Sequence, residues 1–80
     1  MTVRERMLNY LYEQRDIAEQ EKSYYRWCYL DEVIYYLEYN APDYISDSVL
    51  NDMEDYSETQ GQVYAEGVYD VIQDLYEFLD

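Results

Sequence analysis

Residues 62–79 read QVYAEGVYDVIQDLYEFL, and the fold turns on how this stretch is read. Tyr64, Val68, Val71, Leu75 and Phe78 recur at spacings of four, three, four and three, the period of one helix face and not the alternation of a strand. Ile72 and Leu79 widen that seam to the breadth of a helix facing a globular core. On the same wheel Glu66, Asp70, Asp74 and Glu77 follow one another within an arc of roughly 80° on the opposite side. The stretch therefore predicts a helix with an apolar seam and an acidic back. At about 1.5 Å of rise per residue, neighbouring acids in the row are about 5 to 6 Å apart along the axis. Like charges so placed repel by a few tenths of a kcal/mol per pair, and no Lys or Arg alternates with them. Gly67 is a local weakness, worth about 1 kcal/mol against Ala.

Upstream, Asp47 or Ser48 can cap a short helix over 47–57 that carries Val49, Leu50, Met53 and Tyr56 on its inner face. Ala41, Pro42 and Asp43 open a loop over 41–46, because the residue before a proline avoids the helical region. Residues 23–40 place Trp27, Leu30, Val33, Ile34, Leu37 and Ala41 on one side of a helix and Tyr25, Tyr29, Tyr36 and Tyr39 on the other. Apolar side chains nearly all round mark the central helix of a bundle, although the β-branched and aromatic density also permits a strand. Cys28 and Trp27, in this apolar segment, read as core residues. Thr2 followed by Glu5 has the form of a capping box, and Val3, Met7, Leu11 and Ala18 carry a helix to about residue 20. The expectation is an all-α domain spanning 1–80, a compact bundle of three long helices and one short (about 3–20, 23–40, 47–57 and 62–79).

The charge is as uneven as the hydropathy. Nineteen Asp and Glu against five Lys and Arg give a net charge of -14, yet 49% of the residues are hydrophobic, including 13 Tyr. That apolar content separates the chain from disordered acidic tails. All five cations (Arg4, Arg6, Arg15, Lys22 and Arg26) precede residue 27, where five acids balance them. The remaining 19 - 5 = 14 acids fall in 27–80 with no cation. Solubility calls for a net charge of only about 2 to 8 in a small domain, with the signs interspersed. Unrelieved acids cost stability through self-repulsion, so a function that uses them is expected. The first helix, with mixed charges, reads as scaffold.

Several chemistries are excluded by composition. With no His and one Cys, neither a zinc site nor a Cys-His or Ser-His-Asp nucleophile can be assembled. Gly61 and Gly67 form no phosphate-cradling loop. Exposed acids along a helix lack the differentiated environments that acid–base catalysis requires, so the chain is not expected to be an enzyme or to carry a cofactor. Residues 47–58 lack the ligand alternation and the sixth-position Gly of an EF-hand. The acidic balance argues against direct contact with nucleic acid or anionic membranes. The lack of a signal-peptide-like or membrane-length apolar run points to the cytoplasm.

DNA carries a phosphate about every 3.4 Å along each strand. The row of Glu66, Asp70, Asp74 and Glu77 is sparser, but Asp52, Glu54, Asp55 and Glu58 on the third helix, with Asp31 and Glu38 on the second, thicken it. Asp43 and Asp47 add to it from the loop. Tyr69 and Tyr76, seven apart, stand between the acidic row and the core, where a ring packs and its hydroxyl stays wet. In size, charge and helical acidic rows the chain resembles the small acidic DNA mimics of phages and mobile elements, the Ocr-like anti-restriction and anti-CRISPR proteins. These do not share one fold, so the resemblance implies a mechanism and not an architecture. It implies an inhibitor, in the bacterial host cytoplasm, of a basic nucleic-acid-binding protein such as a Cas effector or restriction enzyme. An antitoxin-like or adaptor protein that binds a partner through Tyr-rich surface is the alternative. A homodimer formed through the seam or the helix-two aromatics is compatible with both.

Overall fold

The computed structural model describes residues 1–59 and 61–79, with backbone alone for 62–64. Helix α1 spans Val3–Gln20, α2 Tyr24–Tyr39, α3 Asp47–Glu58 and α4 Gln62–Leu75, and a 3-10 turn over Tyr76–Phe78 follows. The all-α bundle expected from the periodicities is present, and 24–39 is helix, not strand. A radius of gyration of 11.9 Å is close to the roughly 11.6 Å of a compact chain of this length.

Local chemistry sets the first helix. Glu5 N–H donates to Thr2 Oγ1 at 3.1 Å and Thr2 N–H donates to Glu5 Oε1 at 3.2 Å, closing the capping box. The backbone donor of Thr2 is the main reason the Glu5 carboxyl is held below its usual range. At the other end Lys22 takes φ 59°, and Ser23 N–H returns to the Ala18 carbonyl at 2.8 Å, a left-handed stop usually given to Gly. The cap of α3 falls on Ser46 and not on Asp47 or Ser48, and its hydroxyl pairs with that of Ser48 at 2.9 Å.

Helix α2 packs on both α1 and α4, and α4 packs in turn on α3. Met7, Leu11, Leu30, Val33, Leu37, Leu50, Val71, Ile72 and Leu75 are fully enclosed. The seam of α4 is thus consumed in the monomer core. Val68, Val71 and Leu75 are buried and Phe78 packs on Tyr10 with centroids 5.4 Å apart; the side chain of Tyr64 lies outside the described residues.

Four expectations are corrected. Cys28 is exposed, because the outer face of α2 is made apolar by Tyr24, Tyr35 and Tyr39, which are exposed as well. Tyr56 is 47% exposed and not on the inner face of α3. Gly67 is a fitted position: a Cβ there would overlap the Tyr29 ring, so the glycine admits α2 against α4. The last helix ends at Leu75, and the tighter 3-10 turn rotates each later side chain by about 120° instead of 100°. This sends the Tyr76 hydroxyl to Asn51 on α3 and the Phe78 ring to Tyr10 on α1.

Candidate functional site

The acids after residue 26 divide into those tied to the N-terminal half and those left on display. Asp31 on α2 receives Arg15 Nη1 at 2.8 Å, and the same guanidinium lies over the rings of Tyr12 and Trp27 at 5.5 and 5.7 Å. Glu38 accepts from the Tyr12 hydroxyl at 2.8 Å. Asp43, in the loop, receives Arg4 Nη2 at 3.1 Å, while Arg4 Nη1 donates to the Leu37 carbonyl. Asp31, Glu38 and Asp43 are therefore clamps between α1 and its neighbours, and they do not join the acidic row. The sequence expectation that these acids lack a cation is overturned for Asp31 and Asp43. Arg4 and Arg15 are close in space although 39 and 16 residues away in the chain.

The row on α4 also divides. An i, i+4 series drifts by about 40° per step round the helix, so its ends face different neighbours. Glu66 and Asp70 line a cleft between α3 and α4, opposite Glu54 and Glu58, whereas Asp74 accepts from the Tyr10 hydroxyl of α1 at 3.3 Å. Glu77 lies on the 3-10 turn and not on the α-helix. Glu54 is occupied: Gln73 Nε2 donates to its Oε1 at 2.7 Å and the Tyr76 hydroxyl lies 3.0 Å from the same oxygen. Tyr76 is thus a strut between α4 and α3 and not the wet interface ring expected from its spacing. Tyr69 is 47% exposed and lines the cleft between α3 and α4.

The α3–α4 cleft has a volume of about 430 Å³. Ala65 and Ser57 open it, being small where the helices face each other; Ser57 is 2% exposed and its hydroxyl donates to the Glu54 carbonyl at 2.7 Å. Asp52, Asp55, Glu58, Glu66, Asp70 and Glu77 are exposed, and among the described residues none receives an ion pair or a side-chain hydrogen bond. The nine acids from Asp47 to Glu77 therefore form a region whose field no cation of the chain neutralises at contact.

Four phenols are pushed above their ordinary range, with burial the largest cause in each. Burial, followed by the Glu54 hydrogen bond and charge, pushes the Tyr76 phenol up to about 12. Burial also raises Tyr10, with Asp74 next, raises Tyr12, with Glu38 next, and raises Tyr36, with Asp52 next.

Among the described residues no group of three or more Cys, Asp and Glu side chains is placed to hold a metal ion. No described helix is long and apolar enough to cross a membrane. No protein-family model, curated protein or solved structure matches the chain.

Proposed function

We propose that the protein is a DNA-mimic inhibitor that occupies the nucleic-acid-binding surface of a bacterial defence nuclease, a Cas effector or a restriction enzyme. One observation carries this reading: α3, α4 and the 3-10 turn display acids with no cation, while every cation of the chain lies on α1, at the start of α2 or between them. Carboxylates on two packed helices offer Arg and Lys side chains a strip of negative charge in place of phosphates. The focused field also speeds encounter with a basic partner. Internal pairing removes Asp31 and Glu38 from the reading and leaves Asp52, Asp55, Glu58, Glu66, Asp70, Glu77 and Tyr69 as its contact residues.

The test is capture from a bacterial lysate on the immobilised protein at low salt, identification of the retained nucleic-acid-binding proteins, and elution with duplex DNA. Release by DNA and a steep loss of retention with salt are expected. Retention that DNA does not displace and salt does not weaken would contradict the proposal. A protein-binding adaptor or antitoxin-like role is favoured by a different observation, the exposed Tyr24, Tyr25, Tyr35 and Tyr39 on α2. Binding that survives charge reversal on α3 and α4 would select it.

A further inference from the structure

The outward ridge of α2 is apolar where the rest of the exposed surface is acidic. Tyr24, Cys28, Tyr35 and Tyr39 fall within about 60° on the helix wheel, opposite the buried Leu30, Val33, Ile34 and Leu37. All four are exposed, the three tyrosines by 58 to 72%, and Tyr25 is exposed at their edge. The acids beside the ridge are turned away from it. Asp31 and Glu38, on one flank, accept from Arg15 and Tyr12 of α1, and Glu32, on the other, is half-buried and lies on the side that faces α3. A chain of net charge -14 can meet a second copy of itself only where its own carboxylates do not come face to face, and this ridge is such a place.

The spacing selects that occupant. From Tyr24 through Cys28 and Tyr35 to Tyr39 the steps are four, seven and four, which read the same in both directions. Two copies of α2 packed antiparallel about a two-fold axis between residues 31 and 32 set Tyr24 against Tyr39 of the second copy and Cys28 against Tyr35, each contact occurring twice as an isologous interface requires. Ring then faces ring at both ends, and a small thiol faces a large ring in between, a favourable sulfur–aromatic pair. Tyr35 and Tyr39 already pack on each other with centroids 4.8 Å apart, which limits the side-chain freedom lost on pairing. At about 200 Å² per tyrosine side chain, the four exposed rings of the ridge and its edge present roughly 550 Å². Two such faces bury about 1,100 Å², above the roughly 1,000 Å² of a specific interface and in the weak, reversible class. We propose that the protein forms an antiparallel dimer with a second copy of itself through the Tyr24, Cys28, Tyr35 and Tyr39 ridge of α2. The pairing stands independently of the DNA-mimic reading, because α3 and α4 build the acidic cleft.

The experiment is sedimentation equilibrium of the full chain with reductant present, at concentrations up to about 1 mM so that a weak interface is populated. The mean mass is expected to rise from monomer towards dimer with concentration, and added salt to strengthen pairing several-fold by screening the like charge of the two copies. Salt acts on binding to a basic partner with the opposite sign, so the two readings fail separately. Tyr35→Ser with Tyr39→Ser should weaken pairing by about tenfold or more, as loss of central interface aromatics does, while Tyr44→Ser, which removes an exposed ring from the loop, should not. If the double variant does not fold, Tyr24→Ser at the other end of the ridge gives the same comparison. Register is read by mild oxidation. Cys28 of the two copies is separated by about 10 Å along the axis, beyond disulfide reach, so the parent should stay uncross-linked, whereas Tyr35→Cys should give a covalent dimer between Cys28 of one copy and the new thiol of the other. A monomeric mass at every concentration and salt, pairing unchanged in the ridge variants, or a parent that cross-links as readily as Tyr35→Cys would overturn the proposal.

Discussion

Asp31 and Asp70 are both helix carboxylates of one small bundle, and their surroundings are opposite. Asp31 holds Arg15 at 2.8 Å and joins α2 to α1, while Asp70 looks across a cleft at Glu54 and Glu58. The first half of the molecule commits Arg4 and Arg15 to internal clamps. The second half has no cation, and apart from Glu54 and Asp74, which accept hydrogen bonds, its described acids on α3, α4 and the 3-10 turn face water. The total of -14 thus separates into charge that helps fold the chain and charge that does not. Only the second kind is available to a partner.

The difference can be attacked at its joints, and the largest effect is expected where the halves meet. Gly67→Ala should destabilise the fold by about 1 to 3 kcal/mol, as overpacked interiors do, because the new methyl meets the Tyr29 ring of α2. Helix propensity alone gives the opposite sign, a gain of about 1 kcal/mol, so one urea-unfolding curve decides between them. Arg15→Ala should cost about 1 to 2 kcal/mol, combining a partly exposed ion pair with two cation–π contacts.

Tyr76→Phe should cost about 1 kcal/mol near neutral pH through the lost α3–α4 hydrogen bonds. It also has a pH signature. The folded phenol titrates near 12, above its ordinary value of 10, so its stabilising effect is complete below pH 10 and is lost as pH rises towards 12. Tyr10, Tyr12 and Tyr36 shift in the same direction. Stability measured from pH 9 upward should fall through this window, less steeply in the Phe variant. The smallest effect belongs to the displayed acids: Glu66→Gln with Asp70→Asn should raise stability by a few tenths of a kcal/mol at low salt, a gain that added salt removes. A loss would mean that these acids serve the fold.

How far the sequence could be read follows the range of the interactions. The start of α1 was legible because a capping box needs only Thr2 and Glu5, and α2, α3 and most of α4 because hydropathy repeats along one helix. The end of α4 was not, since it depends on Tyr76 reaching α3 and Phe78 reaching α1. Gly67 looked weak because propensity does not include the Tyr29 ring. Cys28 looked buried because tyrosine counts as apolar on a wheel while tolerating water. Among the candidate site residues, Asp52, Asp55, Glu58, Glu66, Asp70 and Tyr69 are exposed. Asp31, Glu38, Asp74, Glu54 and Tyr76 are engaged by partners far along the chain, and Glu77 sits on a turn that no spacing rule placed. The packing of Tyr36 on α2 against Tyr56 on α3 likewise lies beyond what periodicity in one helix can reveal.

We propose that the cation-free acids of α3 and α4 take the place of DNA phosphates on a partner. That role is tested most directly by measuring the affinity of a DNA-displaceable lysate partner for the parent chain and for a Glu58→Lys, Glu66→Lys, Asp70→Lys variant whose melting temperature is not lowered. Reversal sets like charges against the basic surface, and the account predicts a loss of about a hundredfold or more at low salt. Equal affinity of the two proteins would contradict it.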